Sequence, residues 1–240
     1  MRFQHSATVR SAHPTLVAAA LTADGLTPHV DVRERVAHLL ATACDRLSEG
    51  PEGGLPEIQA WRRAFAATGL APTRYRCAAE SLLRRLRRDG DLPRLHPLVD
   101  LCNALSAAYA IPVAALDLDR VDGDLVVRPA TGDEEYVTFT GDVERPEPGE
   151  VVFVDTAGRA HSRRWTHRQS GWSAVRDSTS RVLVVAEALH VRAGADVPAL
   201  RDALTGALAE VWQVDAHGAV LTADAPVFDV TGRGDPGRVT

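Results

Sequence analysis

The sequence predicts an α+β fold, a mainly antiparallel or mixed β-sheet packed with helices, and three observations carry that expectation. Between Val32 and Ala108 apolar side chains recur at helical spacing. Beyond Pro112 the pattern changes to period two and to β-branched residues. Short Gly, Pro and Asp turns join these later segments and leave no room for the crossovers that parallel strands need, which favours antiparallel pairing.

Taken in order, residues 15–21 alternate weakly and read as a strand ending at the turn signals Asp24-Gly25 and Thr27-Pro28. Asp31 is a plausible N-cap for a helix whose apolar face holds Val32, Val36, Leu39, Leu40 and Leu47. The cluster Gly50, Pro51, Gly53, Gly54 and Pro56 marks a long surface loop or hinge. A shorter helix over 58–67 closes at Gly69, and a third over 77–88 stops at Asp89-Gly90. That third helix places Leu82, Leu83 and Leu86 on one side and Arg84, Arg85, Arg87 and Arg88 elsewhere. Pro97 opens a fourth helix, where its missing N–H is harmless, with Leu98, Leu101, Leu105 and Ala108 on the apolar face. Strands are expected over 113–118, 125–128, 136–139, 151–155, 160–165 and 181–191. A last helix over 198–212 and an apolar return at 219–221 follow, and the Gly-rich tail 231–240 reads as disordered. Residues 1–70 are therefore the N-terminal part of one compact fold and 71–230 its core.

Composition narrows the function classes. Of 240 residues 45% are hydrophobic and 25% charged, which is ordinary globular composition. There is neither an apolar run after the N-terminal charge nor one long enough to span a bilayer, so no signal peptide, no membrane segment and a cytoplasmic location are expected. Cys44, Cys77 and Cys102 are odd in number and form no CxxC pair, which argues against disulfides and a zinc site; no metal and no cofactor are expected. A net charge of −5 argues against a protein that coats nucleic acid wholesale, although local patches still suit phosphates. Every basic side chain is arginine, a planar fork of donors matched to phosphate and carboxylate.

The GxxxxGK[ST], GxGxxG, GxSxG and HExxH signatures are absent, which removes the simplest nucleotide-binding, dehydrogenase, hydrolase and metalloprotease readings. Two stretches carry polar groups inside structured sequence. In the first, LPRLHPLVDLCN, Asp100 and Asn103 are three apart and share one side of a helix, either at its solvent edge or in a site. In the second, HSRRWTHRQ, strand alternation places Arg163, Trp165, His167 and Gln169 on one face and Arg164, Thr166 and Arg168 on the other. A cation, a stacking surface, an imidazole and an amide together suit a pocket for a nucleotide end or a charged amino acid. Asp117 and Asp119 are alternatively turn formers, and Arg84, Arg85 and Arg88 either a solvated helix face or phosphate contacts.

The ordered blocks ESLLRRLRRDGDLPRLHPLVDLCNALSAAYAIPVAALDLDRVDGDLVVRPATGDEEY and EPGEVVFVDTAGRAHSRRWTHRQS resemble the free-standing B3/4 domain proteins. These are relatives of the editing module of the phenylalanyl-tRNA synthetase beta subunit. The resemblance spans residues 74–190 and makes 71–230 a B3/4-type editing core. It implies an α+β fold, tRNA as partner, and hydrolysis of the ester joining a mismatched amino acid to the tRNA 3′ end. Some free-standing relatives are associated with removing canavanine from arginine tRNA. Carried over by position, Arg94, Asp100 and Asn103 match the helix motif and Asp117 the end of the strand motif. Arg163, Arg164, Trp165, Arg168 and Gln169 match the arginine–tryptophan block. Ala114 stands where the synthetase module has a histidine, so the synthetase's own substrate contacts do not transfer.

The implied chemistry is attack by water on the ester carbonyl. Asp100, Asn103, Asp117 and His167 are the catalytic candidates, Arg94, Arg163, Trp165 and Gln169 the substrate contacts, and Arg84, Arg85, Arg88, Arg164 and Arg168 the tRNA contacts. The missing histidine supports an alternative, a tRNA-binding or amino-acid-sensing module without hydrolysis.

Overall fold

The computed structural model describes residues 1–230, so the expectation for the tail at 231–240 lies outside the described residues. The elements run β1 (Arg2–His5), α1 (Ala7–Ala12), β2 (Val17–Asp24), α2 (Arg33–Ser48), α3 (Pro56–Ala67), α4 (Ala78–Asp89) and α5 (Pro97–Tyr109). The second half holds β3 (Val113–Asp117), β4 (Leu125–Pro129), β5 (Glu135–Val137), β6 (Val143–Glu144), β7 (Val151–Val154), β8 (Arg159–Ala160), β9 (Ser162–Arg163) and β10 (Arg168–Gln169). It closes with β11 (Arg181–Ala188), α6 (Ala193–Trp212), β12 (Ala216–Leu221) and β13 (Val227–Asp229). The helices and a mixed sheet make an α+β fold, as expected.

Two sheets organise the chain. A four-stranded sheet has the order β12-β2-β11-β3, antiparallel throughout. Its central strands β2 and β11 are apolar on both faces because helices cover them, α6 packing on both. A seven-stranded sheet has the order β13-β1-β4-β7-β8-β5-β6. It is mixed: β1 pairs parallel with β4 and β5 with β8, each after a long connection, and the other neighbours are antiparallel. α5 is buried almost all round, which its Leu- and Ala-rich sequence allows.

Several boundaries move for local reasons. β1 and α1 precede the first expected strand; they are too short to show periodicity, and Ser6 caps α1 by accepting the Val9 N–H at 3.3 Å. Val32, not Asp31, occupies the cap position of α2, though the Asp31 carboxylate accepts the Arg33 N–H at 2.9 Å. α6 starts at Ala193 and carries Pro198 inside, where the lost bond would fall on Gly194, a residue without a side chain to crowd the ring. The strand expected over 160–165 does not exist as one element. β8 ends at Ala160, and β9 and β10 form a hairpin whose turn holds Arg164 at φ 48° and Trp165 at φ 59°. The chain reverses there, so the two-face alternation expected for Arg163–Gln169 is replaced by pairing of Arg163 with Arg168 and of Ser162 with Gln169.

Candidate functional site

The β9–β10 hairpin folds over β3 and β11, and between them lies a cavity of about 70 Å³ walled by Ala114, His161, Trp165, His167, Gln169 and Glu187. Such a volume holds a few waters. A larger groove of about 470 Å³ adjoins it and shares Val113 and Gln169; Asn103, His96, Phe139 and Asp177 form other parts of its wall. The Gln169 amide sits between the two, fixed by donating to the Ala115 carbonyl at 2.7 Å.

Consecutive left-handed residues other than glycine are costly, about 1–3 kcal/mol each, so the hairpin turn must be held by its surroundings. Glu150 holds one side. Its carboxylate accepts Arg163 Nε and Nη2, both at 2.9 Å, and the Arg164 N–H at 2.9 Å, while Glu144 accepts Arg163 Nη1 at 2.6 Å. Burial pushes the Glu150 carboxyl up, but the Arg163 bonds and charge outweigh it and hold it below its ordinary value. Trp165 holds the other side: its indole is buried edge-on to Trp61 at 4.9 Å and to His13 at 4.9 Å. Its Nε1–H donates to Glu187 Oε1 at 2.8 Å, and His5 Nε2 lies 2.6 Å from the same oxygen. Glu187 is thus a carboxylate 2% exposed inside an apolar strand, held by groups from β1 and the hairpin.

His167 is placed as a base. Its Nδ1 lies 2.7 Å from the Arg76 carbonyl, an acceptor only, so Nδ1 carries the proton and Nε2 keeps its lone pair. Desolvation lowers its pKa below the ordinary imidazole value and the nearby Arg164 and Arg168 charges add to this, against the raising bond to Arg76. The ring is therefore neutral at pH 7. His161, fully buried, has Nδ1 2.8 Å from Ser173 Oγ and Nε2 3.2 Å from Asp155 Oδ2. This order matches an activated serine, but Ser173 is completely buried and absent from the cavity wall, so the chain of bonds braces the wall.

The remaining expected site residues disperse. Asn103 reaches the groove, whereas Asp100 is buried and accepts the Leu95 N–H at 2.8 Å, folding the segment before α5 onto its first turn. Asp117 is buried and accepts the Asp119 N–H at 3.0 Å and the Thr179 hydroxyl at 2.7 Å. Arg163 has all three nitrogens on Glu144 and Glu150 and lies outside the cavity wall. Arg164 stacks over Tyr75 at 4.6 Å; Arg168 walls the cavity and lies 5.3 Å from the Tyr136 ring. Arg94 pairs with Asp91 at 3.3 Å, and Arg84, Arg85 and Arg88 are half-exposed or more, within 3.9 Å of Glu52 or Asp89. Sequence reasoning missed Glu187, Glu150 and His161. An acid inside the apolar run RVLVVAEALH was the available signal for Glu187.

Among the described residues, Glu57, His190 and Asp196 form the only group of three that could share a metal ion, their ligand atoms within 4.8 Å of one another. None of them walls the cavity or the groove. No described helix is long and apolar enough to cross a membrane.

Comparison with known proteins gives the following. The chain is 34% identical over 74 residues to the phenylalanine–tRNA ligase beta subunit of Fusobacterium nucleatum, a stretch covering 31% of this chain and 9% of that protein. An N-terminal fragment of the phenylalanyl-tRNA synthetase beta subunit from Pyrococcus horikoshii superposes with a TM-score of 0.49 at 10% identity, over 89% of this chain and 49% of the fragment. The chain therefore spans less than half the length of either. The model of the B3/4 domain matches residues 60–196, more than half of the sequence. On that match the chain belongs to the B3/4 domain family.

Proposed function

We propose that the chain is a trans-editing hydrolase, a deacylase that frees tRNA from a wrong amino acid, with water as the nucleophile. One observation carries this reading: His167, neutral and with Nε2 open, walls the same cavity as Ala114. The family resemblance places a histidine at Ala114, and here the hairpin supplies an imidazole to that cavity. Membership of the family and the partial identity to a tRNA ligase subunit supply the tRNA side of the reading.

The cavity takes the attacking water and the adjoining groove the aminoacyl end. Nε2 of His167 accepts a proton as the water oxygen bonds to the ester carbonyl carbon. N–H donors, the Gln169 amide among them, hold the oxyanion. Collapse breaks the bond to the ribose oxygen, which recovers the proton from His167. Asn103, Gln169 and Asp177 give the groove polar acceptors, which suit a guanidino-like side chain such as canavanine. Arg164 and Arg168, with Arg84, Arg85 and Arg88 farther off, are the candidate phosphate contacts.

The test is incubation with tRNA for arginine charged with canavanine, and with tRNA for phenylalanine charged with tyrosine, following loss of the amino acid. Release that His167→Asn abolishes supports hydrolysis. Binding without faster release would sink it and favour the second reading, a sensing or tRNA-binding module, for which Ala114 in place of histidine is the motive.

A further inference from the structure

The cleft between β1, α1 and the segment joining β12 to β13 lies outside the residues matched by the family model. Its volume is about 520 Å³, and Gln4, His5, Arg10, Ser11 and His13 supply the polar groups of its wall. No aspartate or glutamate belongs to that wall. Nε and Nη2 of Arg10 are both out of solvent and without a hydrogen-bond partner, as is Nδ1 of His5, a residue 3% exposed.

These orphaned atoms point to a ligand class. A guanidinium grips a carboxylate or phosphate with two parallel N–H groups along one edge. Elsewhere in this chain the edge formed by Nε and Nη2 does so repeatedly: Arg163 holds Glu150 at 2.9 and 2.9 Å, and Arg88 holds Asp89 at 2.6 and 2.7 Å. Arg33 and Arg62 use the same edge on Asp31 and Glu80. Among the described residues Arg10 alone leaves that whole edge buried and unbonded. A desolvated cation without a partner costs several kcal/mol, and burial indeed disfavours its charged form. The nearest anion, Glu187, does not pair with it, since Oε1 is taken by His5 and Trp165.

We propose that this cleft is an oxyanion-binding site in which the Nε and Nη2 edge of Arg10 holds a carboxylate or phosphate group, with His5 Nδ1, the Ser11 hydroxyl and the Gln4 amide as further donors. Because His5 bonds Glu187 through its other nitrogen, an anion here touches the same histidine that braces the cavity wall. The site does not depend on the proposed deacylase reading.

Calorimetric titration of the whole chain at fixed ionic strength tests it, with inorganic phosphate in one arm and acetate in another. Saturable millimolar binding in either arm is expected, and which arm binds identifies the group. Arg10→Gln should weaken it by at least about tenfold, whereas Arg63→Gln, at an exposed arginine, should leave it unchanged. A second measurement needs no variant: the bound anion should slow modification of Arg10 by phenylglyoxal, read by peptide mass spectrometry, without protecting Arg63. Absence of saturable binding in both arms, equal binding by the two variants, or equal protection of both arginines would overturn the proposal.

Discussion

Replacing Glu150 with glutamine tests whether the hairpin turn is held by charge. The Glu150 side chain is 5% exposed and accepts three bonds, two from Arg163 and one from the Arg164 N–H. Glutamine keeps the volume but removes the charge and sets an amide N–H₂ against the guanidinium. Taking one partner from a buried pair costs about 3–5 kcal/mol. Glu144 stays on Arg163 Nη1 at 2.6 Å and offsets part of this, so the expected loss is about 3 kcal/mol. For a chain of this length that lowers the melting temperature by roughly 6–12 °C. Glu144, 34% exposed, provides the comparison, and its glutamine variant should lose no more than about 1 kcal/mol. Urea unfolding and scanning calorimetry measure both. The pH dependence follows from sign: the folded carboxyl of Glu150 lies below its ordinary value, so its contribution is complete above the unfolded pKa of about 4.3 and is lost as pH falls through the lowered folded one. The advantage of the wild type over Glu150→Gln should therefore shrink in acid. Equal stability losses for the two variants would refute the claim that Glu150 holds the turn.

Three further outcomes are expected. His167→Asn should reduce deacylation by about a hundredfold or more while leaving thermal stability nearly unchanged. In the wild type, activity should rise with pH through a midpoint below the ordinary histidine value of about 6.5, since protonation of Nε2 in acid removes the base; a midpoint well above it would count against His167. Trp165→Phe removes one of the two donors to Glu187 Oε1 and should cost about 1–3 kcal/mol by denaturant titration. Gly171→Ala would place a Cβ 2.6 Å from the Thr138 carbonyl oxygen, where the backbones touch; about 1–3 kcal/mol is expected, and a neutral result would deny that close approach.

The long helices and the fold class were legible because periodicity over ten or more residues averages out local exceptions. α4, with Leu83 and Leu86 inward and its arginines outward, is the clearest case. The site was legible by composition but not by geometry. His167 and Gln169 do wall the cavity, yet strand alternation misassigned how they reach it. A hairpin without glycine in its turn gives no sequence signal; the left-handed Arg164 and Trp165 are imposed by Glu150, Val151 and Glu187, which are distant in sequence. For the same reason Asp100 and Asp117 looked like functional acids: a carboxylate that caps local backbone and one that faces a ligand are alike in sequence.

The residues matched by the family model begin at 60, but the cavity does not close without what precedes them. β2 supplies the whole ladder on one side of β11, from Arg181 opposite Asp24 to Ala188 opposite Val17. Without it, the strand bearing Glu187 would present an unpaired edge to water. β1 supplies His5, the second partner of Glu187 Oε1, and α2 supplies Arg46, which pairs with Glu57 of α3 at 2.8 Å. A buried carboxylate stripped of one donor is unstable as an anion, so losing β1 would shift Glu187 toward its neutral form and loosen Trp165 and the turn that carries His167. The first strand and helix are thus part of the site as well as of the fold: the charge on Glu187, the seat of Trp165 and the position of the base are set by one bond from His5.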